Sequence, residues 1–171
     1  ILFLHDSTTQ DAAMLLTWED FDAAEERLRA ISTTISGSEA ETVILSQEDF
    51  CGDLPGRSRR KAIYPKLTKN LRIIARALRP HQVRFVFFER DEENWLVSCY
   101  HQHLKHRTLF SSIEGFRAHF DESLTWQQKL KQPKETFGDN LISLPYRKAP
   151  DAGVRAILDI AGHPGLPLPQ P

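Results

Sequence analysis

The sequence predicts an α/β domain built on a mainly parallel sheet, and three observations carry that expectation. Two apolar runs, Thr42-Val43-Ile44-Leu45 and Val83-Arg84-Phe85-Val86-Phe87-Phe88, lack the strict alternation of a strand with one wet face. Stretches with apolar residues at three- and four-residue steps lie before, between and after them. At 171 residues the chain is long enough to close one core, so residues 1–171 are read as a single domain. Strands alternating with helices favour parallel pairing, and parallel sheets bind ligands beyond the carboxyl ends of their strands.

The elements follow in order. The chain opens on Ile1-Leu2-Phe3-Leu4, with neither a methionine nor a charged leader, and reads as a fragment with something missing upstream. From Trp18 a helix is marked by Phe21, Ala24, Leu28, Ile31 and Ile35, and Gly37-Ser38 ends it. The run at residues 42–45 is the first clear strand. Asp53-Leu54-Pro55-Gly56 opens a loop rich in breakers that carries Arg57, Arg59, Arg60 and Lys61. A helix over residues 65–78 rests on Leu67, Leu71, Ile74 and Leu78, and Pro80 forbids its continuation. Residues 83–88 form the strongest strand and run through Glu89-Arg90-Asp91 into a helix carrying Trp95, Leu96, Cys99 and His103. A helix over residues 113–120 and a loosely patterned stretch to Lys134 lead to the turn Phe137-Gly138-Asp139-Asn140 and a third strand, Leu141-Ile142-Ser143-Leu144. Asp151 is the expected N-cap of a last helix with Val154, Ile157, Leu158 and Ala161 on one face and Gly162 at its C-terminal cap. The proline-rich tail, residues 164–171, is expected to be extended.

Composition removes several function classes. With 40% hydrophobic and 26% charged residues the chain is neither disordered nor membranous in character, and its longest apolar runs are far too short to cross a bilayer. A net charge of -1 gives no global field to gather nucleic acid or an anionic bilayer, so any anion must be held by a local site. Two cysteines, Cys51 and Cys99, cannot make a disulfide scaffold or a CxxC motif.

The sharpest local pattern is an arginine, Arg90, ending a strand, with Ser98 eight residues on (98 minus 90) in the following helix and Tyr100 just beyond. Arginine presents a planar fork of donors matched to phosphate, and a serine hydroxyl adds a neutral donor. The plain alternative pairs Arg90 with Asp91 or Glu93 and leaves Ser98 as a helix-face residue. The arrangement resembles the 3′-phosphate-binding segment of sulfotransferases that use 3′-phosphoadenosine 5′-phosphosulfate (PAPS). From about residue 18 to 166 the chain is similar to bacterial sulfotransferase-family proteins of polysaccharide modification. The segments that carry the likeness are Ser46-Gln47-Glu48 after a strand, the strand at residues 83–88, Ser98-Cys99-Tyr100-His101-Gln102 and the late Phe137-Gly138 turn. The resemblance implies a P-loop NTPase-like three-layer α/β domain, PAPS as donor without a metal, a carbohydrate hydroxyl as acceptor, and a cytoplasmic location, where bacteria make PAPS. It assigns Arg90 and Ser98 to the donor's 3′-phosphate.

One departure from the family pattern stands out. Such enzymes begin with a strand and a Lys-x-Gly-Thr-Thr loop whose amides and lysine cradle the 5′-phosphosulfate. His5-Asp6-Ser7-Thr8-Thr9-Gln10 lacks the lysine and glycine, so the loop is expected upstream. Glu48 is the candidate general base, at the end of a central strand where it can take a proton from an acceptor hydroxyl; a capping acid is the alternative, and Asp49 is its neighbour. In the cluster Cys99, His101, His103 and His106 only Cys99/His103 and His103/His106 have the spacing for a shared metal, and a solvated or acceptor-lining histidine face is the preferred reading. The basic residues at positions 57–61 either solubilise a loop or bind an anionic acceptor or nucleotide. Rival functions are a non-catalytic nucleotide- or glycan-binding domain that lost the donor loop, and a P-loop kinase relative, which needs a Walker lysine.

Overall fold

A computed structural model describes residues 1–57, 60–106, 110–120, 125–149 and 151–168, the side chain of His106 excepted. The fold is mixed α/β. Strand β1 (Leu2–Leu4) leads to helices α1 (Ser7–Thr17) and α2 (Phe21–Ser36), then to β2 (Val43–Leu45), a 3-10 turn (Glu48–Cys51) and α3 (Leu67–Ala77). Strand β3 (Phe85–Glu89) is followed by α4 (Glu92–His106), α5 (Ile113–His119) and α6 (Trp126–Phe137). A second 3-10 turn (Gly138–Asn140), β4 (Leu141–Pro145) and α7 (Ala152–Ile160) complete the described elements.

Among the described residues pairing is parallel throughout, as the unalternated runs predict, but it makes two small sheets and not one. β1 pairs with β2, Leu2 opposite Val43 and Leu4 opposite Leu45, and β3 pairs with β4, Phe85 opposite Leu141 and Glu89 opposite Pro145. Parallel neighbours require a long crossover, supplied by α1 and α2 in the first pair and by α4 to α6 in the second. Because each strand has one hydrogen-bonded neighbour, β2 and β3 are only half-buried along their length, although their sequences suit burial on both faces.

Helices cover both faces of the second pair. Phe85 and Phe87 alternate onto one face, where they meet Phe137 of α6 at 5.0 Å and Trp126 at 5.2 Å between ring centroids. Arg84 and Phe88 face the other way: the Arg84 Nη1 donates to the Ile160 carbonyl at 3.1 Å, and the Phe88 ring lies against Gly153 of α7. Trp95 of α4 packs on Trp126 at 4.7 Å and joins this layer to the main core.

α2, α3, α4 and α5 form where their spacing predicts, with Asp20, Asp91 and Ser112 accepting the amides of Ala23, Asn94 and Gly115 at their first turns. The N-terminal residues hold more than expected. β1 and α1 occupy positions 2–17, with Asp6 capping α1 by accepting the Thr9 amide at 2.9 Å. The loosely patterned stretch is the helix α6, in which Pro133 is fully buried. Asp151 precedes α7 but does not cap it: its backbone is left-handed, φ +63, and its side chain makes no capping bond. Gly162, φ +82, does take the left-handed place after that helix. The tail begins with a turn, Leu166 N–H to the His163 carbonyl at 3.2 Å, and not an extended segment; residues 169–171 lie outside the described residues.

Candidate functional site at the carboxyl ends of the strands

The four strands deliver four short segments: His5-Asp6 after β1, Ser46 to Asp49 after β2, Arg90 after β3 and Tyr146 after β4. Local bonds fix each of them. The His5 Nδ1 donates to the Ser46 carbonyl at 2.7 Å, and the Thr17 hydroxyl donates to the Asp49 carbonyl at 3.2 Å. The Trp126 indole donates to the Arg90 carbonyl at 2.6 Å, and the Tyr146 amide extends the ladder to the Glu89 carbonyl at 2.7 Å.

Arg90 does not pair with its acidic neighbours. The Asp91 carboxylate is occupied by the Asn94 amide, and Glu93 pairs with Arg117. The Arg90 guanidinium instead lies 5.1 Å over the Tyr146 ring, half-buried, and among the described residues it makes no hydrogen bond or ion pair. Its donors are therefore unspent, which suits an anion. Ser98 is half-buried on α4. The adjacent thiol, Cys99, is buried and pushed up to about 12, chiefly by desolvation, with Arg90 and Arg57 pulling it down and Glu48 pushing it up. The Cys99 thiol, next to Ser98 in sequence on α4, thus lies within Coulombic reach of Glu48 after β2 and Arg90 after β3.

Glu48 is exposed and caps no helix among the described residues, whereas Asp49 is half-buried, with its carboxyl held above the usual range by desolvation, against the pull of Arg57. The Arg57 Nη1 stands 3.5 Å from the Asp49 Oδ1. The Tyr64 hydroxyl is pushed well above its ordinary value, first by burial and then by the charges of Cys51, Cys99, Glu48 and Asp49. The basic loop is consequently tied down at two points, Arg57 to Asp49 and Arg60 to Glu19; Arg59 lies outside the described residues.

The histidine face is not solvated as expected. His103 is buried against Tyr100, Phe110 and Phe116, and its Nδ1 donates to the Gly56 carbonyl at 3.2 Å. It serves as a core strut for the basic loop. His101 is exposed, and the His106 side chain lies outside the described residues. Among the described residues no three His, Cys, Asp or Glu side chains are grouped to hold a metal ion, and no helix is long and apolar enough to cross a membrane.

The turn at His5-Asp6-Ser7 cannot cradle a phosphate as it stands, because Asp6 already places a carboxylate on the first amides of α1. A cavity of about 20 Å³ at the other end of α1, lined by Thr17, Gly52, Asn70 and Lys66, is large enough for a water and not for a nucleotide. The fully buried Asn70 lines this cavity and keeps its Oδ1 without a partner among the described residues. Sequence reasoning missed Tyr146; the signal was its place directly after a strand, the same place that singled out Arg90. No known family model, curated protein or solved structure matches the chain.

Proposed function

We propose that the chain is the acceptor-side and 3′-phosphate-binding part of a P-loop-like, three-layer sulfotransferase domain that moves a sulfuryl group from PAPS to a carbohydrate hydroxyl in the bacterial cytoplasm. The observation that carries the reading is the Arg90 guanidinium at the end of β3, stacked on Tyr146 and without a hydrogen bond or ion pair among the described residues, with Glu48 exposed after β2. Binding of PAPS supplies a sulfuryl group attached to a phosphate leaving group. Arg90 offers its paired N–H donors to the 3′-phosphate, and Ser98 offers its hydroxyl to the same group. Glu48 accepts the proton of the acceptor hydroxyl as that oxygen bonds to sulfur and the sulfur–phosphate oxygen bond breaks. Asp49, half-buried and paired with Arg57, holds the loop that carries Glu48.

The test is a thermal-shift titration with 3′-phosphoadenosine 5′-phosphate. At about 100 times its dissociation constant a ligand adds about 2.7 kcal/mol, a rise of several degrees for a domain of this size. The shift should vanish in Arg90→Ala and should not be given by 5′-AMP, which lacks the 3′-phosphate. Equal shifts with both nucleotides, or none with either, overturn the 3′-phosphate site. The Asp6 cap on α1 favours a second reading, a domain that binds nucleotide or glycan without transfer. Binding without sulfate incorporation into polysaccharide from labelled PAPS would select it.

A further inference from the structure

An open groove of about 470 Å³ lies between the start of α2 and the middle of α3, within the size range of small-ligand sites. Its apolar lining is Ile73, which is buried, and Phe21, which is half-buried under the Lys69 Nζ at 3.5 Å from the ring centroid. The rest of the lining is charged, with both signs present. Two of these charges are spent inside the protein, Glu19 on Arg60 and Arg76 on Glu25. Four are not. Asp20 and Asp22 at the start of α2, and Lys69 and Arg72 on α3, are all exposed, and among the described residues none of them forms an ion pair. Asp20 commits one carboxylate oxygen to the Ala23 amide at 3.3 Å, and Arg72 commits one N–H to the Thr136 hydroxyl at 3.2 Å, which leaves each with further capacity.

Opposite charges thus line one groove from two helices without neutralising each other. We propose that this groove binds a short peptide with free termini, its ammonium on Asp20 and Asp22, its carboxylate on Lys69 and Arg72, and an apolar side chain against Phe21 and Ile73. The charges select this class. A polyanion that reached Lys69 and Arg72 would meet the two aspartates, a polycation that reached the aspartates would meet the two cations, and an uncharged apolar ligand would strip water from all four with nothing in return. A dipolar ion with its charges held apart satisfies both pairs at once, and the planar donor fork of Arg72 suits a carboxylate. The carriers are set in place beforehand, which limits what binding must order. Asp20 and Asp22 sit on a turn fixed by the Glu19 amide to the Leu16 carbonyl at 3.2 Å and the Asp20 amide to the Leu15 carbonyl at 3.0 Å, and Lys69 and Arg72 share a face of α3 at a three-residue step. The inference goes beyond the sulfotransferase reading and does not depend on it.

Ligand-observed NMR with trialanine at millimolar concentration tests the site, against two blocked forms, N-acetyl-trialanine, which lacks the ammonium, and trialanine amide, which lacks the carboxylate. Trialanine should bind, and each blocked form should bind at least fivefold more weakly, because each gives up its charged hydrogen bonds. The variants then divide by terminus. Asp20→Asn with Asp22→Asn should weaken trialanine at least fivefold and leave N-acetyl-trialanine unchanged; asparagine caps a helix as well as aspartate, so α2 keeps its first turn. Lys69→Gln with Arg72→Gln should weaken trialanine and N-acetyl-trialanine alike and leave the amide unchanged. No binding of trialanine, equal binding of all three peptides, or loss in every variant regardless of which terminus is blocked overturns the proposal. If the double aspartate variant has a lowered urea midpoint, Asp22→Asn alone replaces it, with the same division expected. Binding of 3′-phosphoadenosine 5′-phosphate should be unchanged in all these variants, so the donor reading and the groove stand or fall separately.

Discussion

Gly56 sits where the basic loop touches the core, and no other residue fits there. Its φ is +86, its carbonyl accepts the His103 Nδ1, and a Cβ would fall 2.7 Å from the Phe116 ring and 3.1 Å from the His103 Nδ1. Phe116 is fully buried and cannot give way. Gly56→Ala should therefore cost about 2–4 kcal/mol, combining a left-handed backbone with overpacking, read as a lower urea midpoint at unchanged slope. A loss below about 0.5 kcal/mol would mean that the loop lifts away from α4 without penalty. Cys99 makes a second prediction. Its folded pKa of about 12 lies above the ordinary 9.0, so the folded state holds the proton more tightly. Stability from this group is complete below pH 9 and is lost as pH rises through about 12. In Cys99→Ala the drop in unfolding free energy between pH 8 and pH 10.5 should shrink, whatever the variant loses at neutral pH. A thiol reagent at pH 8 should find Cys99 silent until denaturant is added.

At the scale of elements, one carboxylate clamps α2 to α3. Glu25 accepts Arg76 from α3 and Arg29 from its own helix, and these bonds, Arg76 first, hold its pKa below the ordinary 4.5. A lowered pKa places the stabilisation above pH 4.5 and removes it as pH falls through the folded value. Glu25→Gln should flatten the acid limb of the urea midpoint between pH 5 and pH 3; an unchanged limb would assign it to other acids. The elements also divide by how far they could be read from the residues. α3 and β3 were legible because Leu67, Leu71 and Ile74 form a sharp stripe and the Phe85 to Phe88 run admits little but a strand. α1 was not, since Ala12, Ala13 and Leu16 bury a stripe of small residues with little hydrophobic contrast. α6 was hidden by Pro133, a residue that ordinarily ends a helix. In the site, Arg90, Ser98 and Glu48 stood out by position after a strand or on a helix. The stacking of Arg90 on Tyr146 joins the ends of two strands through the fold, and the pairing of Asp49 with Arg57 closes a loop whose residues carry no periodic pattern.

At the scale of the whole molecule, each parallel pair leaves strand edges without a ladder partner among the described residues, and the edge at β1 is poorly guarded. Natural sheets blunt such edges with charge, proline or a bulge. β1 instead presents Phe3, 54% exposed, next to the exposed Ile1, while Trp18 stands 66% exposed at the end of α1. A net charge of -1 and an isoelectric point near 6.7 supply almost no repulsion between molecules at neutral pH. The chain should accordingly self-associate through β1, with light scattering rising with concentration and greatest near pH 6.7. Phe3→Glu places a charge on that edge, takes the net charge from -1 to -2, and should lower the scattering at pH 7.5 without moving the urea midpoint by more than about 0.5 kcal/mol, as expected for a surface change. The same substitution decides where association occurs. Scattering abolished by Phe3→Glu locates it at β1, and scattering that persists in Phe3→Glu locates it elsewhere on the surface.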